Sequence, residues 1–224
     1  LILLAKNSQG YKNLCKLSSL GYLDGFYYRP RVDEELLEKY SDGLIASTAC
    51  IAGKIPQAIL NNDLELAYET AGKYREIFGA DNFYFEIQNH FMPEQQKVNK
   101  ELLLMSKQMN IPVIATNDMH YMKKENALSQ EILLCIQRKT TLAENKFKFA
   151  NSEFYFKSYE EMLELFSEVP ETLKNTLSIE EKCNVEIDLG KHNLPKFKIP
   201  DEFDNDFEFL KYLTYKVLEN DIEI

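Results

Sequence analysis

Short apolar segments alternate with amphipathic helical patterns through the first half of the chain, and this alternation constrains the fold most. The segments are brief, apolar and bounded by polar or turn residues, as expected for parallel strands covered on both faces. Strands that alternate with helices predict βαβ units and therefore an α/β fold with a parallel sheet or barrel. The predicted strands are residues 1–5, 44–48, 83–87 and 112–116.

Helix signals fill the intervals between the predicted strands. Asp33 is a capping type of residue at the start of one helix, Gly79 ends another, and Pro93 stands at the first turn of a third. After residue 116 the strand pattern fades, and an extended linker at 189–203 precedes a last amphipathic helix. The predicted helices are residues 10–20, 33–40, 64–78, 93–109, 125–137, 159–166, 170–183 and 206–218.

The chain is acidic, with a formal charge of −10 over 224 residues. Because phosphate binding requires clustered Lys and Arg, such a chain should meet DNA only through a local site or a neighbouring domain. No apolar run approaches the roughly 20 residues of a membrane helix, so no membrane contact is expected. The four cysteines are widely spaced and contain no C-x-x-C pair, which argues against a zinc ribbon or a disulfide scaffold and favours a reducing cytoplasm.

Residues that could carry chemistry follow three consecutive predicted strands. Cys50 follows the second strand, His90 the third, and Asp118 and His120 the fourth. Carboxylate and imidazole groups are good ligands for divalent metals, and sites in parallel α/β barrels lie at the C-terminal ends of strands. The plainer alternatives are a capping Asp, a packed or solvated His and a buried apolar Cys. The shared position favours one common site.

Longer segments of the sequence are similar to a known family. They are LLAKNSQGYKNLCKLSSLGYLDGFYYRPRVDEELLEKYSDGLIASTACIAGKIP, PEQQKVN, IPVIATNDMHYM, ILLCIQRKTTL, EFYFKSYEEM and CNVEIDLGKHNLPKF. In this order they resemble the PHP (polymerase and histidinol phosphatase) domain of DnaE-type alpha subunits of bacterial DNA polymerase III. The resemblance implies a distorted (β/α)7 barrel, incomplete here, with up to three metal ions, Zn²⁺ or Mn²⁺, at one end.

The resemblance also implies which residues would bind these ions. Cys50, Asp118 and His120 match family ligand positions, whereas the remaining ligands would precede Leu1. His90 matches a histidine beside the site that is not carried over as a ligand, and His192 receives no role. No catalytic residue and no organic cofactor site is predicted.

The same resemblance predicts the domain organisation. Residues 1–190 would form a partial PHP domain without its N-terminal strands, and residues 191–224 a linker and the first helix of the polymerase palm region. The catalytic carboxylates of the palm, with their Mg²⁺, would come later in a parent DNA-directed DNA polymerase, which is a nucleotidyltransferase. The implied partners are DNA, through the intact polymerase, and other replicase subunits, which could include a proofreading exonuclease.

Three functions remain open from the sequence. The PHP domain would be a metal-dependent phosphodiesterase that acts as a 3′→5′ proofreading exonuclease, or a silent scaffold that stabilises the polymerase and docks a separate exonuclease. An unrelated metal-dependent hydrolase is a third alternative, against which the palm-like tail argues. The fragment alone is expected to be inactive, and its opened barrel edge is expected to cause self-association or displacement of the first strand.

Overall fold

A computed structural model of the protein describes residues 1–145, 148–187, 189–190 and 197–221. For residues 219–221 it describes the backbone alone. It has a mixed α/β architecture in which one four-stranded sheet is covered by helices. The strands are β1 (Ile2–Ala5), β2 (Leu44–Ser47), β3 (Phe83–Ile87) and β4 (Val113–Ala115). The helices are α1 (Ser8–Leu23), α2 (Glu34–Lys39), α3 (Lys54–Leu60), α4 (Leu64–Phe78), α5 (Pro93–Met109), a 3₁₀ turn (Lys124–Asn126), α6 (Ala127–Arg138), α7 (Tyr159–Leu165), α8 (Glu171–Lys182) and α9 (Asp206–Asp221).

The sheet order is β1-β2-β3-β4, and the parallel pairing of β2 with β3 and of β3 with β4 confirms the predicted parallel core. The prediction for the first strand is wrong, because β1 runs antiparallel to β2 and its side chains are alternately exposed. Apolar composition does not encode strand direction. The Lys6 N–H donates to the Gly43 carbonyl at 2.8 Å, which continues the antiparallel pairing past Ala5 and Leu44.

The helices between the strands follow their local signals closely. Helices α4 and α5 have the predicted bounds, and Asp33 caps α2 by accepting a hydrogen bond from the Leu36 N–H at 2.9 Å. Helix α3 was not predicted, because it is short and carries Pro56 in its first turn. The closed seven-stranded barrel stays a prediction, since the strands of the described residues form the single sheet above.

The two faces of the sheet differ in chemistry. One face carries Phe83, Phe85 and Ile87 of β3, and these side chains pack with α3, α4 and α5 in the main apolar core. The other face has a small apolar cluster in which Tyr84 of β3 meets Ile179 of α8. This second face also carries a buried glutamate, Glu86, near its C-terminal edge.

The chain divides into two compact units, Leu1–Glu186 and Ile187–Ile224. The first contains the sheet and the helices up to α8, and the second contains α9. Residues 191–196 of the predicted linker lie outside the described residues, and the palm assignment stays a prediction. Among the described residues, no helix has the length and apolarity needed to cross a membrane.

Two glycines allow a matched test of this packing. A Cβ atom on Gly10 would lie 1.9 Å from the Gly43 carbonyl oxygen, whereas on Gly72 the nearest atom would be Met109 Cε at 4.0 Å. We expect Gly10→Ala to lower the free energy of unfolding by about 2 kcal/mol or more, because backbone must shift. Gly72→Ala, inside α4, should raise it by about 0.5–1 kcal/mol. Urea unfolding measures both, and an unchanged Gly10→Ala protein would contradict the contact.

Candidate functional site

The parallel strands bring three sequence-predicted residues to one edge of the sheet. Cys50, His90 and Asp118 each follow the last residue of β2, β3 and β4, respectively, by three positions. Because parallel strands end at the same edge, the loops that carry these residues are neighbours. The three residues differ in exposure: His90 is fully buried, whereas Cys50 and Asp118 are half-buried.

A buried carboxylate joins the three strand ends. Glu86 of β3 is 4% exposed and accepts hydrogen bonds from the hydroxyls of Ser47 and Thr116, each at 2.5 Å. The side-chain amide of Gln88 donates to the same carboxylate at 3.1 Å, while the Glu86 N–H donates to Thr48 Oγ1 at 2.8 Å. Sequence reasoning missed this group, although one acidic residue within an otherwise apolar strand was a visible signal.

His90 is fully buried and both of its ring nitrogens are engaged. The Gln95 amide donates to Nδ1 at 2.8 Å, so the Nε2–H donates to the Asn117 carbonyl at 2.7 Å. The ring stacks on Phe154 with a centroid distance of 4.1 Å, and burial lowers the pKa of His90. His90 is therefore a neutral structural residue that holds the backbone directly before Asp118.

Asp118 and His120 form a partly exposed pair on the loop after β4. His120 Nε2 lies 3.6 Å from Asp118 Oδ1, and the His120 N–H donates to the Phe154 carbonyl at 2.8 Å. Asp118 has a φ of 45°, in the left-handed region that few residues other than Gly, Asn and Asp adopt readily. This backbone conformation turns the loop sharply between the two side chains.

Cys50 lies in the turn after β2, where Ala49 has a φ of 61°. The thiol side chain is half-buried and borders a small cavity that Glu86, Gln88 and Gln95 also line. Gln88 Oε1 is buried there without a hydrogen-bond partner among the described residues. Cys50 thus borders a cavity lined by polar groups of the sheet edge and by the apolar side chains of Ile51, Pro56 and Val98.

The donor set fits a metal ion only in part. Asp118 and His120 offer two donors of suitable chemistry next to each other. Within the part of the chain that the structure describes, no three His, Cys, Asp or Glu side chains are grouped so that they could hold a metal ion. A structural or catalytic ion usually takes at least three protein ligands, so the pair is a partial shell.

A charged cleft adjoins this loop and was not predicted. Asn117 Nδ2 donates to the Tyr155 carbonyl at 2.6 Å, which places the segment 153–157 beside it. The Tyr155 hydroxyl donates to Glu161 at 2.5 Å, and this contact raises the pKa of Tyr155 to about 12. Burial lowers the pKa of Lys157, whose ammonium donates to the Glu153 carbonyl. The cleft measures about 420 Å³ and is lined by Asn89, Phe91, Glu153, Tyr155, Lys157, Glu161, Glu164 and Leu165.

Comparison with known proteins finds a family match for the first part of the chain. Residues 1–90 match the PHP domain family. The chain is 47% identical over 98% of its length to DNA polymerase III subunit alpha of Borreliella burgdorferi, 42% over 97% to that of Treponema pallidum and 41% over 96% to that of Thermus aquaticus. It spans 19%, 19% and 18% of these proteins. The predicted resemblance is therefore confirmed: the chain is related over almost its whole length to bacterial DNA polymerase III alpha subunits.

The buried histidine allows a test of the site by pH. Since the pKa of folded His90 lies below 6.5, the unfolded chain binds a proton below that pH that the folded chain does not. The free energy of unfolding should fall as pH is lowered from 7.5 to 5.5, by up to about 1.4 kcal/mol per pH unit. His90→Gln should lose this part of the slope, whereas His120→Gln should keep it. Equal slopes in the wild type and His90→Gln, from urea unfolding across pH, would contradict the buried neutral ring.

Proposed function

We propose that this chain is the PHP-domain region of a longer DNA polymerase III alpha subunit, a DNA-directed DNA polymerase of the bacterial cytoplasm. Support comes from 36–47% identity to alpha subunits over most of the chain. DNA and other replicase subunits are its proposed partners. Nucleotidyl transfer, with Mg²⁺, is assigned to the palm region of the parent protein and lies outside these residues.

We further propose that the PHP region acts as a metal-dependent phosphodiesterase, namely a 3′→5′ proofreading exonuclease. The observation that carries this proposal is the partly exposed Asp118–His120 pair. The buried His90 ring holds the Asn117 carbonyl directly before Asp118. Asp118 and His120 would hold Zn²⁺ or Mn²⁺ together with Cys50 and ligands from outside this chain. A bound divalent ion supplies Lewis acidity and a nucleophile at neutral pH.

The chain's own residues have definable parts in such a site. The His90–Asn117 hydrogen bond fixes the backbone before Asp118, and the Phe154 carbonyl holds the backbone of His120. The cleft next to this loop is lined by Glu153, Glu161 and Glu164 as well as Lys157, so the Lys157 ammonium group is balanced within the cleft. Lys157 is buried and donates to the Glu153 carbonyl, which ties it to the 153–157 segment.

A scaffold is the second candidate, and one observation favours it. The described residues bring together two adjacent metal donors and no group of three. In that case the PHP region would stabilise the polymerase and dock a separate proofreading exonuclease. The polar groups at the sheet edge would then serve the fold alone, as the fully hydrogen-bonded Glu86 does.

Metal binding by this chain tests the ligand assignment. We expect weak binding of Mn²⁺ or Zn²⁺, because an incomplete shell lowers affinity. Asp118→Asn and His120→Asn should each weaken binding at least roughly tenfold, and Cys50→Ser should weaken Zn²⁺ binding. Asp204→Asn and Cys15→Ser, both at exposed positions, are the controls. Titration calorimetry measures the affinities, and binding that all three ligand variants retain would contradict the assignment.

Activity separates the nuclease from the scaffold. The 224-residue chain should show no measurable hydrolysis of a 3′-labelled single strand. In the longer subunit, Asp118→Ala should lower 3′→5′ hydrolysis more than about 100-fold while primer extension is kept. A longer subunit without any such hydrolysis in Mn²⁺ or Zn²⁺ would favour the scaffold, and strong hydrolysis by this chain alone would contradict both expectations.

A further inference from the structure

An exposed aromatic surface lies at the end of α1 and on the loop that follows it toward α2. We define the aromatic loop as residues 22–31, with the rings of Tyr22, Phe26, Tyr27 and Tyr28 and the guanidinium groups of Arg29 and Arg31. The four rings are 56–83% exposed. None of them belongs to either apolar core cluster, and none takes part in the site at the strand ends.

The backbone of the aromatic loop is closed by its own hydrogen bonds. The Gly25 N–H donates to the Leu20 carbonyl, and the Arg31 N–H donates to the Gly25 carbonyl, both at 3.1 Å. A Cβ atom on Gly25 would lie 2.1 Å from the Arg31 carbonyl oxygen, so only glycine allows this approach. Tyr28 has a φ of 58°, at the tip. The loop therefore has a backbone conformation defined by its own hydrogen bonds, and this conformation holds the rings at the surface.

The rings also hold one another. Tyr27 and Tyr28 meet edge to face with a centroid distance of 4.6 Å, and Tyr22 and Phe26 lie at 6.2 Å with nearly parallel planes. The guanidinium carbon of Arg31 lies 5.3 Å from the centroid of Tyr27. Fixing rings before binding reduces the entropy that a ligand contact loses.

Charge distinguishes this loop from the rest of the chain. The formal charge is −10, yet two of the four arginines stand within three residues here. Among the described residues neither Arg29 nor Arg31 forms an ion pair, and both side chains are exposed. Exposed rings beside guanidinium groups that no carboxylate of the described residues pairs with suit a ligand that offers flat faces and phosphates together. A single strand of DNA offers both, whereas the bases of a duplex are already stacked.

We propose that the aromatic loop binds single-stranded DNA, with bases stacked on Tyr27 and Tyr28 and phosphates held by Arg29 and Arg31. The negative charge elsewhere repels the strand and so confines binding to this surface. This goes beyond the nuclease or scaffold function, because stacking needs neither a metal ion nor hydrolysis. Binding and hydrolysis can therefore fail independently.

The test is fluorescence anisotropy of a labelled 12-nucleotide oligothymidylate with the 224-residue chain, in EDTA so that metal-dependent chemistry is absent. Tyr27→Ala and Tyr28→Ala should each weaken binding roughly tenfold, while Tyr27→Phe should retain it. Arg29→Ala with Arg31→Ala should weaken binding and lower the salt slope by about 0.7 per lost contact. Tyr159→Ala and Lys16→Ala, exposed residues elsewhere, are the controls.

Several outcomes would overturn the proposal. These are absence of binding, equal losses in the control variants, or loss with the arginine variants alone, which indicates unspecific charge attraction. Sedimentation tests whether the aromatic loop binds a second copy of the chain instead. If the chain self-associates, Tyr27→Ala abolishes this self-association and no DNA binds, the surface belongs to a protein–protein interface. Thermal unfolding of each variant identifies losses caused by misfolding, and Tyr27→Phe supports the proposal only if it binds like the wild type.

Discussion

The hydrogen bonds to the buried Glu86 carboxylate hold the functional edge of the sheet together. A polar group this deep in a protein is destabilising unless nearby donors replace its hydrogen bonds to water. Ser47 donates from β2 and Thr116 donates from directly after β4, so one side chain of β3 joins both neighbouring strands. These donors sit at the strand ends. Their geometry consequently fixes the relative position of the loops that carry Cys50, His90 and Asp118.

A second layer of neutral polar contacts leads from this edge toward the surface. Gln95 Oε1 accepts a hydrogen bond from the His90 backbone N–H at 2.7 Å, and Gln95 Nε2 donates to Nδ1 of the ring. One amide therefore fixes both the backbone and the side chain of the histidine. The ring in turn holds the Asn117 carbonyl. These hydrogen bonds support the loop that carries the partly exposed Asp118–His120 pair. Such pre-organisation is what a metal site requires from its outer groups.

The acidic character of the chain shapes how it can meet DNA. A net charge of −10 disfavours general electrostatic attraction, so the proposed contacts with DNA would come from small surfaces with their own chemistry. The aromatic loop is such a surface because stacking does not depend on net charge and two arginines supply the phosphate contacts. The Lys157 cleft differs, since its cation is balanced by glutamates that line the same cleft.

By itself the sequence determined the strands β2 to β4 and the bounds of α4 and α5, because apolar runs, capping residues and Pro93 act locally. It also identified Asp118 and His120 as neighbours, since two positions on one turn meet whatever the rest of the fold does. Only the tertiary structure decided the direction of β1, the burial of Glu86 and the structural role of His90. Each of these depends on partners far away in the chain, such as Gly43, Thr116 and Asn117, and no local pattern encodes which hydrogen-bond partner folding will supply.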